Sequence, residues 1–112
     1  MIQKICVAGA GTMGSGIALA AAQNNFDTVL FDTNEKGIEN AKKSIGKNLD
    51  FLLSKEKISI TEKENIYKRI LFTTNIEDCT GDLIIEAIIE NLSIKETLYK
   101  NIAAINTAQT IF

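Results

Sequence analysis

The 112-residue sequence contains no histidine, no proline and no tryptophan, and it has only two cysteines. Without histidine, the chain has no imidazole to serve as a metal ligand or as a general base. The two cysteines, Cys6 and Cys79, lack the spacing of metal ligands. We expect both to be reduced thiols, with Cys6 a small core residue, and this favours a cytoplasmic location.

A strong charge of either sign and long apolar runs are also missing. Twelve Lys and Arg residues against 14 Asp and Glu residues give a net charge of −2, which argues against a nucleic-acid or anionic-membrane partner. No apolar run reaches the roughly 20 residues of a membrane span, and the start MIQKICVAG does not resemble a targeting peptide. The length suits one domain, 1–112.

The most informative stretch is 4–32, which reads as strand, glycine turn, helix and strand. Gly9, Gly11 and Gly14 give the pattern G-x-G-x-x-G. Gly9 permits a tight turn, because a residue without Cβ adopts positive φ at little cost. Gly11 lets a pyrophosphate approach the backbone, and Gly14 lets the helix pack closely on the strand. The N–H groups and the positive dipole at the helix start then face the phosphates.

The flanking residues supply the rest of a dinucleotide site. The run Ile5–Ala8 predicts a buried parallel strand. Small and apolar residues then follow at helical spacing: Met13, Ile17, Ala18, Ala21 and Ala22. A second strand, Thr28–Phe31, ends at Asp32, 18 residues after Gly14, where a ribose-binding carboxylate is expected. Because this carboxylate would repel a 2′-phosphate, the pattern favours NAD over NADP; the alternative is a glycine turn in an α/β domain that binds no nucleotide.

Two helices are predicted between the second and third strands. Asn34 caps a long helix that runs to roughly residue 53, and Thr61 to Glu64 fit the capping box of a short helix that ends near residue 68. The third strand follows at Ile70–Thr73. Since this insertion is longer than a crossover needs, we expect it to project from the sheet as a helical arm.

A fourth strand is predicted at Leu83–Glu86, followed by a helix over about 92–104. Ligands of an open parallel sheet bind beyond the carboxyl ends of its strands, which places Glu90 toward the cofactor with Lys95 on the same side. The spacing equally allows Glu90 to be a first-turn acid and Lys95 a surface residue. The last residues, TIF, look like the start of a further strand, so we expect a fragment of a longer enzyme.

Four segments together closely resemble the amino-terminal domain of the 3-hydroxyacyl-CoA dehydrogenases, and the bacterial 3-hydroxybutyryl-CoA dehydrogenases in particular: ICVAGAGTMGSGIA, VLFD, DLIIEAIIENLSIKETLYKNI and TIF. The block DLIIEAIIEN with its following lysine is more specific to this family than the glycine motif. The resemblance implies oxidation of the 3-hydroxyl of an acyl-CoA with hydride transfer to NAD. It also implies a Rossmann-type α/β fold, doubly wound and mainly parallel, with a helical arm between strands 2 and 3 and a truncated carboxyl end.

The same resemblance assigns roles to individual residues. Six consecutive residues would wrap the pyrophosphate: Gly9, Ala10, Gly11, Thr12, Met13 and Gly14. Asp32 would bind the adenosine ribose, whereas Glu90 and Lys95 would contact the nicotinamide side of NAD. In the arm, Lys55 matches a basic position that contacts coenzyme A, and Asn48 replaces a serine that makes a similar contact in some members.

The family's catalytic histidine and its helical carboxy-terminal domain have no counterpart in this sequence. The resemblance therefore implies a fragment that is inactive alone, an acyl-CoA partner, and a homodimer formed through the missing domain. One alternative is another NAD-dependent β-hydroxyacid dehydrogenase, against which the segment E-N-x-x-x-K and the arm argue. The other is a non-catalytic NAD-sensing module, which the absence of histidine would fit but the truncated last strand argues against.

Overall fold

A computed structural model describes residues 3–86. Four parallel strands form one sheet: β1 Lys4–Ala8, β2 Asp27–Phe31, β3 Ile70–Thr73 and β4 Leu83–Glu86. Three α-helices and one short 3₁₀ helix connect them: α1 Thr12–Gln23, α2 Glu35–Ser54, α3 Ile60–Lys68 and the 3₁₀ helix Ile76–Asp78. The predicted parallel α/β fold and its helical insertion between the second and third strands are confirmed.

The strand order is β3-β2-β1-β4, so the direction of winding reverses at β1. In β1, Cys6 lies opposite Val29 of β2 on one side and opposite Ile84 of β4 on the other. This is the beginning of the doubly wound order 3-2-1-4-5-6, in which ligands bind beyond the carboxyl ends of the strands at the reversal point. The glycine turn follows β1 at that end of the sheet.

One face of the sheet packs against all three α-helices. Alternate residues of β1, Ile5 and Val7, belong to the same buried cluster as Leu30 of β2 and Ile66 of α3. The helix α2 contributes four side chains that are at most 5% exposed: Ile38, Ala41, Ile45 and Leu49. Most of α2 therefore lies on the sheet rather than projecting, because its apolar stripe continues to Leu49 and its burial is favourable.

The opposite face of the sheet carries a smaller buried cluster with a disulfide in it. Cys6 and Cys79 are both fully buried there, with their Cα atoms 5.7 Å apart, and their sulfurs are bonded. The prediction of reduced thiols is wrong for this structure. The pairing is not evident in the sequence because 73 residues separate the two cysteines. The cysteines meet because the chain returns beside β1 directly after Cys79 to form β4.

A second tie between β1 and β4 uses Asp82, the residue before β4. Its Oδ2 atom accepts hydrogen bonds from the backbone N–H groups of Gln3 (2.9 Å) and Lys4 (3.0 Å). Its own N–H donates to the Lys4 carbonyl at 2.8 Å. The two backbone donors lower the pKa of the Asp82 carboxyl below its ordinary value of 3.8, because they favour the charged form.

The helix caps agree with the sequence in one case and differ in the other. Asn34 caps α2 as predicted, since its side chain accepts from the N–H groups of Lys36 and Gly37. The capping box of α3 uses Ser59 and Glu62, at 3.1 and 3.2 Å, so its predicted placement at Thr61 is wrong. Two overlapping segments, Ser59–Glu62 and Thr61–Glu64, fit the capping-box motif, and α3 begins at the earlier one. None of the helices described is long and apolar enough to cross a membrane.

Candidate functional site

The glycine turn begins at Gly9, directly after β1. Gly9 has a φ of 114°, a backbone conformation that a side chain would strain. Its N–H donates to the carbonyl of Phe31 at 2.7 Å, which ties the turn to the end of β2. On the next residues, the buried hydroxyl of Ser15 donates to the Ala10 carbonyl at 3.2 Å. The turn is therefore held by contacts on both sides.

The start of α1 leaves its first amides available to a ligand. Gly11 is the N-cap and has no side chain to accept from them, and the first turn contains no acidic residue. The first helical hydrogen bond runs from the Ser15 N–H to the Gly11 carbonyl at 2.9 Å, so the amides of 12–14 precede it. A Cβ atom at Gly11 would meet no atom within 4 Å. This open, positively polarised helix end suits an anionic group.

Asp32 connects the glycine turn to the start of α2. Its Oδ2 atom accepts from the Ala10 N–H at 2.9 Å, and its Oδ1 atom accepts from the Asn34 N–H at 2.9 Å. Each carboxylate oxygen has two acceptor sites, so each keeps one for a further donor such as a ribose hydroxyl. The two backbone contacts fix the orientation of the carboxylate before any ligand binds.

These groups border a cleft of about 340 Å³. One side is lined by the glycine turn and α1, the other by α2, and Asp32 lies between them: Ala10, Gly11, Thr12, Ser15, Asp32, Asn34, Gly37, Asn40, Ala41 and Ser44. Asp32 is the sole charged residue in this lining. A cleft with free amides on one side and a fixed carboxylate beside them fits the pyrophosphate and the ribose of a dinucleotide.

Some of the site residues predicted from the sequence line the cleft, and others do not. Four of them line it: Ala10, Gly11, Thr12 and Asp32. Gly9 and Gly14 are buried next to it, whereas Asn48 and Lys55 are exposed further along α2. Met13 is 70% exposed and does not pack on the sheet with the other residues predicted at helical spacing along α1, because Gly14 and Ser15 are the buried residues of that turn. Glu90 and Lys95 lie outside the described residues.

The cleft also includes residues of α2 that the sequence reading missed. Gly37, Asn40, Ala41 and Ser44 repeat at three- and four-residue steps and form one wall. That spacing is visible in the sequence, but it indicates a ligand-facing surface only once α2 is known to start beside the glycine turn. Among residues 3–86, no group of three cysteine, aspartate or glutamate side chains is placed to hold a metal ion.

A parallel sheet with this strand order, a glycine turn at the reversal point and a carboxylate at the end of β2 together define a dinucleotide-binding domain of the Rossmann class. Residues 4–112 match the family described as "3-hydroxyacyl-CoA dehydrogenase, NAD binding domain". The chain belongs to this family, and its cofactor is NAD.

Individual relatives agree with this assignment. The chain is 42% identical over 103 residues to a probable 3-hydroxybutyryl-CoA dehydrogenase of Deinococcus radiodurans, covering 91% of this chain and 37% of that protein. It is 37% identical over 111 residues to the probable 3-hydroxybutyryl-CoA dehydrogenase of Bacillus subtilis, covering 98% and 39%. The crystal structure of (S)-3-hydroxybutyryl-CoA dehydrogenase from Ralstonia eutropha superposes with a TM-score of 0.92 at 32% identity, covering 99% and 40%. The chain thus spans 37–40% of the length of these three proteins.

Proposed function

We propose that this chain forms the NAD-binding part of an enzyme that transfers hydride between NAD and C3, the carbon that carries the 3-hydroxyl, of a short-chain acyl-CoA. The observation that carries the proposal is the cleft, where the uncapped start of α1 and the oriented carboxylate of Asp32 offer separate partners for pyrophosphate and ribose. The relatives named 3-hydroxybutyryl-CoA dehydrogenase support the substrate class.

The residues of this chain bind and orient the cofactor, and NAD supplies the hydride acceptor when it is bound. The N–H groups at Gly11 and Thr12 receive the phosphates, while Asp32 accepts from the ribose hydroxyls and repels a 2′-phosphate. The remaining residues of the turn complete the phosphate site: Gly9, Ala10, Met13 and Gly14. Glu90 and Lys95 contact the nicotinamide side, a role that rests on the resemblance alone.

The resemblance implies a histidine as the general base for the substrate hydroxyl, and these 112 residues contain none, so in this proposal the base comes from outside them. We therefore expect the isolated chain to bind NAD weakly and not to turn over. In the complete protein we propose a homodimer, formed through a part not present in this chain. Asn48 and Lys55 of α2 contact the coenzyme A part of the substrate in this proposal.

The test is an initial-rate assay with the complete protein encoded by the gene. Acetoacetyl-CoA is added with NADH, and in parallel with NADPH, and the loss of cofactor absorbance is followed. We expect rapid oxidation of NADH and little oxidation of NADPH. A folded protein that binds NADH but does not oxidise it with acetoacetyl-CoA would contradict the proposed substrate.

A further inference from the structure

The hydroxyl of Ser15 is a buried polar group that the proposed function does not use. Ser15 lies in the first turn of α1 and is 4% exposed, although it borders the cleft. Its side chain donates to the Ala10 carbonyl at 3.2 Å. A serine inside a helix usually donates to a carbonyl of its own helix, whereas Ala10 precedes the N-cap of α1. The contact therefore links α1 to the glycine turn.

Ala10 is held through both of its peptide groups. Its N–H donates to the Oδ2 atom of Asp32 at 2.9 Å, and its carbonyl accepts from Ser15. Its side chain is buried in the core cluster, at 4% exposure. Asp32 thus fixes the peptide on the amino side of Ala10, and Ser15 fixes the peptide that Ala10 shares with Gly11.

The peptide between Ala10 and Gly11 determines where the Gly11 N–H points. A trans peptide is planar, with its C=O and N–H on opposite sides, and none of the described peptides is cis. Because Ser15 holds the carbonyl, the Gly11 N–H is directed away from Ser15. Within residues 3–86, this N–H donates to no acceptor, so it is available to a ligand.

Gly11 itself does little to hold this orientation. Its φ of −71° is one that any residue adopts, and a Cβ there would meet no atom within 4 Å. A glycine also changes its backbone conformation at lower cost than other residues, because it has no Cβ. The restraint on the peptide therefore comes from the Ser15 hydroxyl rather than from Gly11.

We propose that Ser15 is a positioning residue for the phosphate site: it fixes the peptide between Ala10 and Gly11 so that the Gly11 N–H is held in place for the pyrophosphate of NAD. Ser15 acts through this peptide and does not itself contact the cofactor. Asp32 fixes the preceding peptide from the ribose side, so the two parts of the dinucleotide site are joined at Ala10. This inference rests on the proposed function.

Fluorescence titration of the complete protein with NADH tests this role, because it measures binding without turnover. We expect Ser15→Ala to raise the Kd for NADH about fivefold, the order of one hydrogen bond. Displacement of NADH by ADP and by adenosine then locates the effect. Ser15→Ala should weaken the binding of ADP, which carries a diphosphate, by a similar factor and leave the binding of adenosine unchanged.

The control is Thr28→Val, which removes a hydrogen bond of the same kind away from the cleft. Thr28 is 2% exposed, and its hydroxyl donates to the Phe26 carbonyl at 3.0 Å. It lies near the start of β2, whereas Asp32 follows the end of that strand. We expect Thr28→Val to lower the thermal midpoint about as much as Ser15→Ala does and to leave the Kd for NADH unchanged.

Equal Kd values for NADH in wild type and Ser15→Ala, or a rise of the same size in Ser15→Ala and Thr28→Val, would overturn the positioning role. Equal weakening of ADP and adenosine binding by Ser15→Ala would also overturn it, because the effect would not be confined to the phosphates. If the folded wild-type protein does not bind NADH, the proposed function fails and this inference fails with it. A wild type that binds NADH, with any of the contrary outcomes above, removes this inference alone.

Discussion

The glycine turn and the face of α2 that carries Asn40 and Ser44 border the same cleft, yet they are built from different parts of the chain. The turn presents backbone amides, and its shape depends on Gly9 at a φ of 114° and on hydrogen bonds to Phe31 and Asp32. The face of α2 presents side chains on an ordinary helix, and Asn40 and Ser44 have no partner within residues 3–86. The first surface is fixed by the fold, whereas the second can be altered without disturbing it.

This difference explains why the two surfaces suit different ligands. A phosphate group is common to all dinucleotides, and a rigid arrangement of amides recognises it without a side chain. Substrates differ from one another in the order of their functional groups. Exposed side chains on a helix can form contacts with such groups one after another. We therefore expect substitutions in the turn to affect folding and cofactor binding, and substitutions of exposed side chains on α2 to affect substrate binding.

The largest contrast comes from a glycine-to-alanine substitution made once in the glycine turn and once in the interior of α2. Gly9→Ala forces a side chain into a strained backbone conformation, and we expect a loss of about 2 kcal/mol in the free energy of unfolding together with loss of NADH binding. Gly46→Ala is the matched control, since Gly46 lies inside α2 and a Cβ there would meet no atom within 4 Å. It should stabilise by about 0.5–1 kcal/mol. Chemical denaturation measures the free energy of unfolding of both variants. A change of the same sign in the two variants would remove the contrast.

Substitution of Asp32 should weaken NADH binding next most strongly. In Asp32→Asn, the side chain keeps one acceptor oxygen for the two N–H groups, of Ala10 and Asn34, that the carboxylate now holds. Hydrogen bonds to charged groups contribute about 1.5–3 kcal/mol, so NADH affinity should fall by about 10- to 100-fold, and discrimination against NADPH should shrink. Fluorescence titration with both cofactors measures this. Asp50→Asn serves as the control on α2, and an unchanged affinity in Asp32→Asn would exclude the ribose role.

Substitution of Lys55 should affect the substrate alone. An exposed ion pair contributes up to about 1 kcal/mol, so Lys55→Ala should raise KM for acetoacetyl-CoA by about fivefold at low salt, with KM for NADH unchanged. Screening should reduce the effect as ionic strength rises. Lys43→Ala is the control, because Lys43 lies about 120° around the same helix. Equal KM values in wild type and Lys55→Ala would show that Lys55 is a solvated surface residue without a substrate contact.

The smallest effect is expected far from the cleft, at Asp82. Its pKa is lower in the folded than in the unfolded chain, because the N–H groups of Gln3 and Lys4 donate to the carboxylate. Its contribution to stability is therefore present above the ordinary value of 3.8 and is lost as the pH falls through the lower, folded value. Asp82→Asn should remove this part of the acid dependence of the thermal midpoint and leave NADH binding at neutral pH unchanged. Identical acid dependence of the thermal midpoint in wild type and Asp82→Asn would contradict this prediction.

The sequence predicts the elements near the cofactor well, since each depends on a local requirement of the backbone. Gly9 and Gly11 mark a turn that needs them, and the apolar runs around them mark β1 and β2. Asn34 also marks the start of α2, because helix capping is a contact between residues close in the sequence. These signals are short in range, so they can be interpreted before the fold is known.

The features that escaped prediction depend on contacts between distant parts of the chain. The pairing of Cys6 with Cys79 requires β4 to return beside β1. The role of Asn40 and Ser44 in the cleft requires α2 to start beside the glycine turn. Their residue types are ordinary for an exposed helix, so the pattern alone did not separate a ligand-facing surface from a solvated one.

In the proposed function, the glycine turn holds the pyrophosphate of NAD while Asp32 holds its ribose. A crystal structure of the complete protein with NADH would reveal both contacts. We expect pyrophosphate oxygens within hydrogen-bond distance of the N–H groups at Gly11 and Thr12, and ribose hydroxyls on the two free acceptor sites of Asp32. A pyrophosphate bound away from the start of α1, or a ribose that leaves Asp32 without a ligand contact, would contradict this expectation.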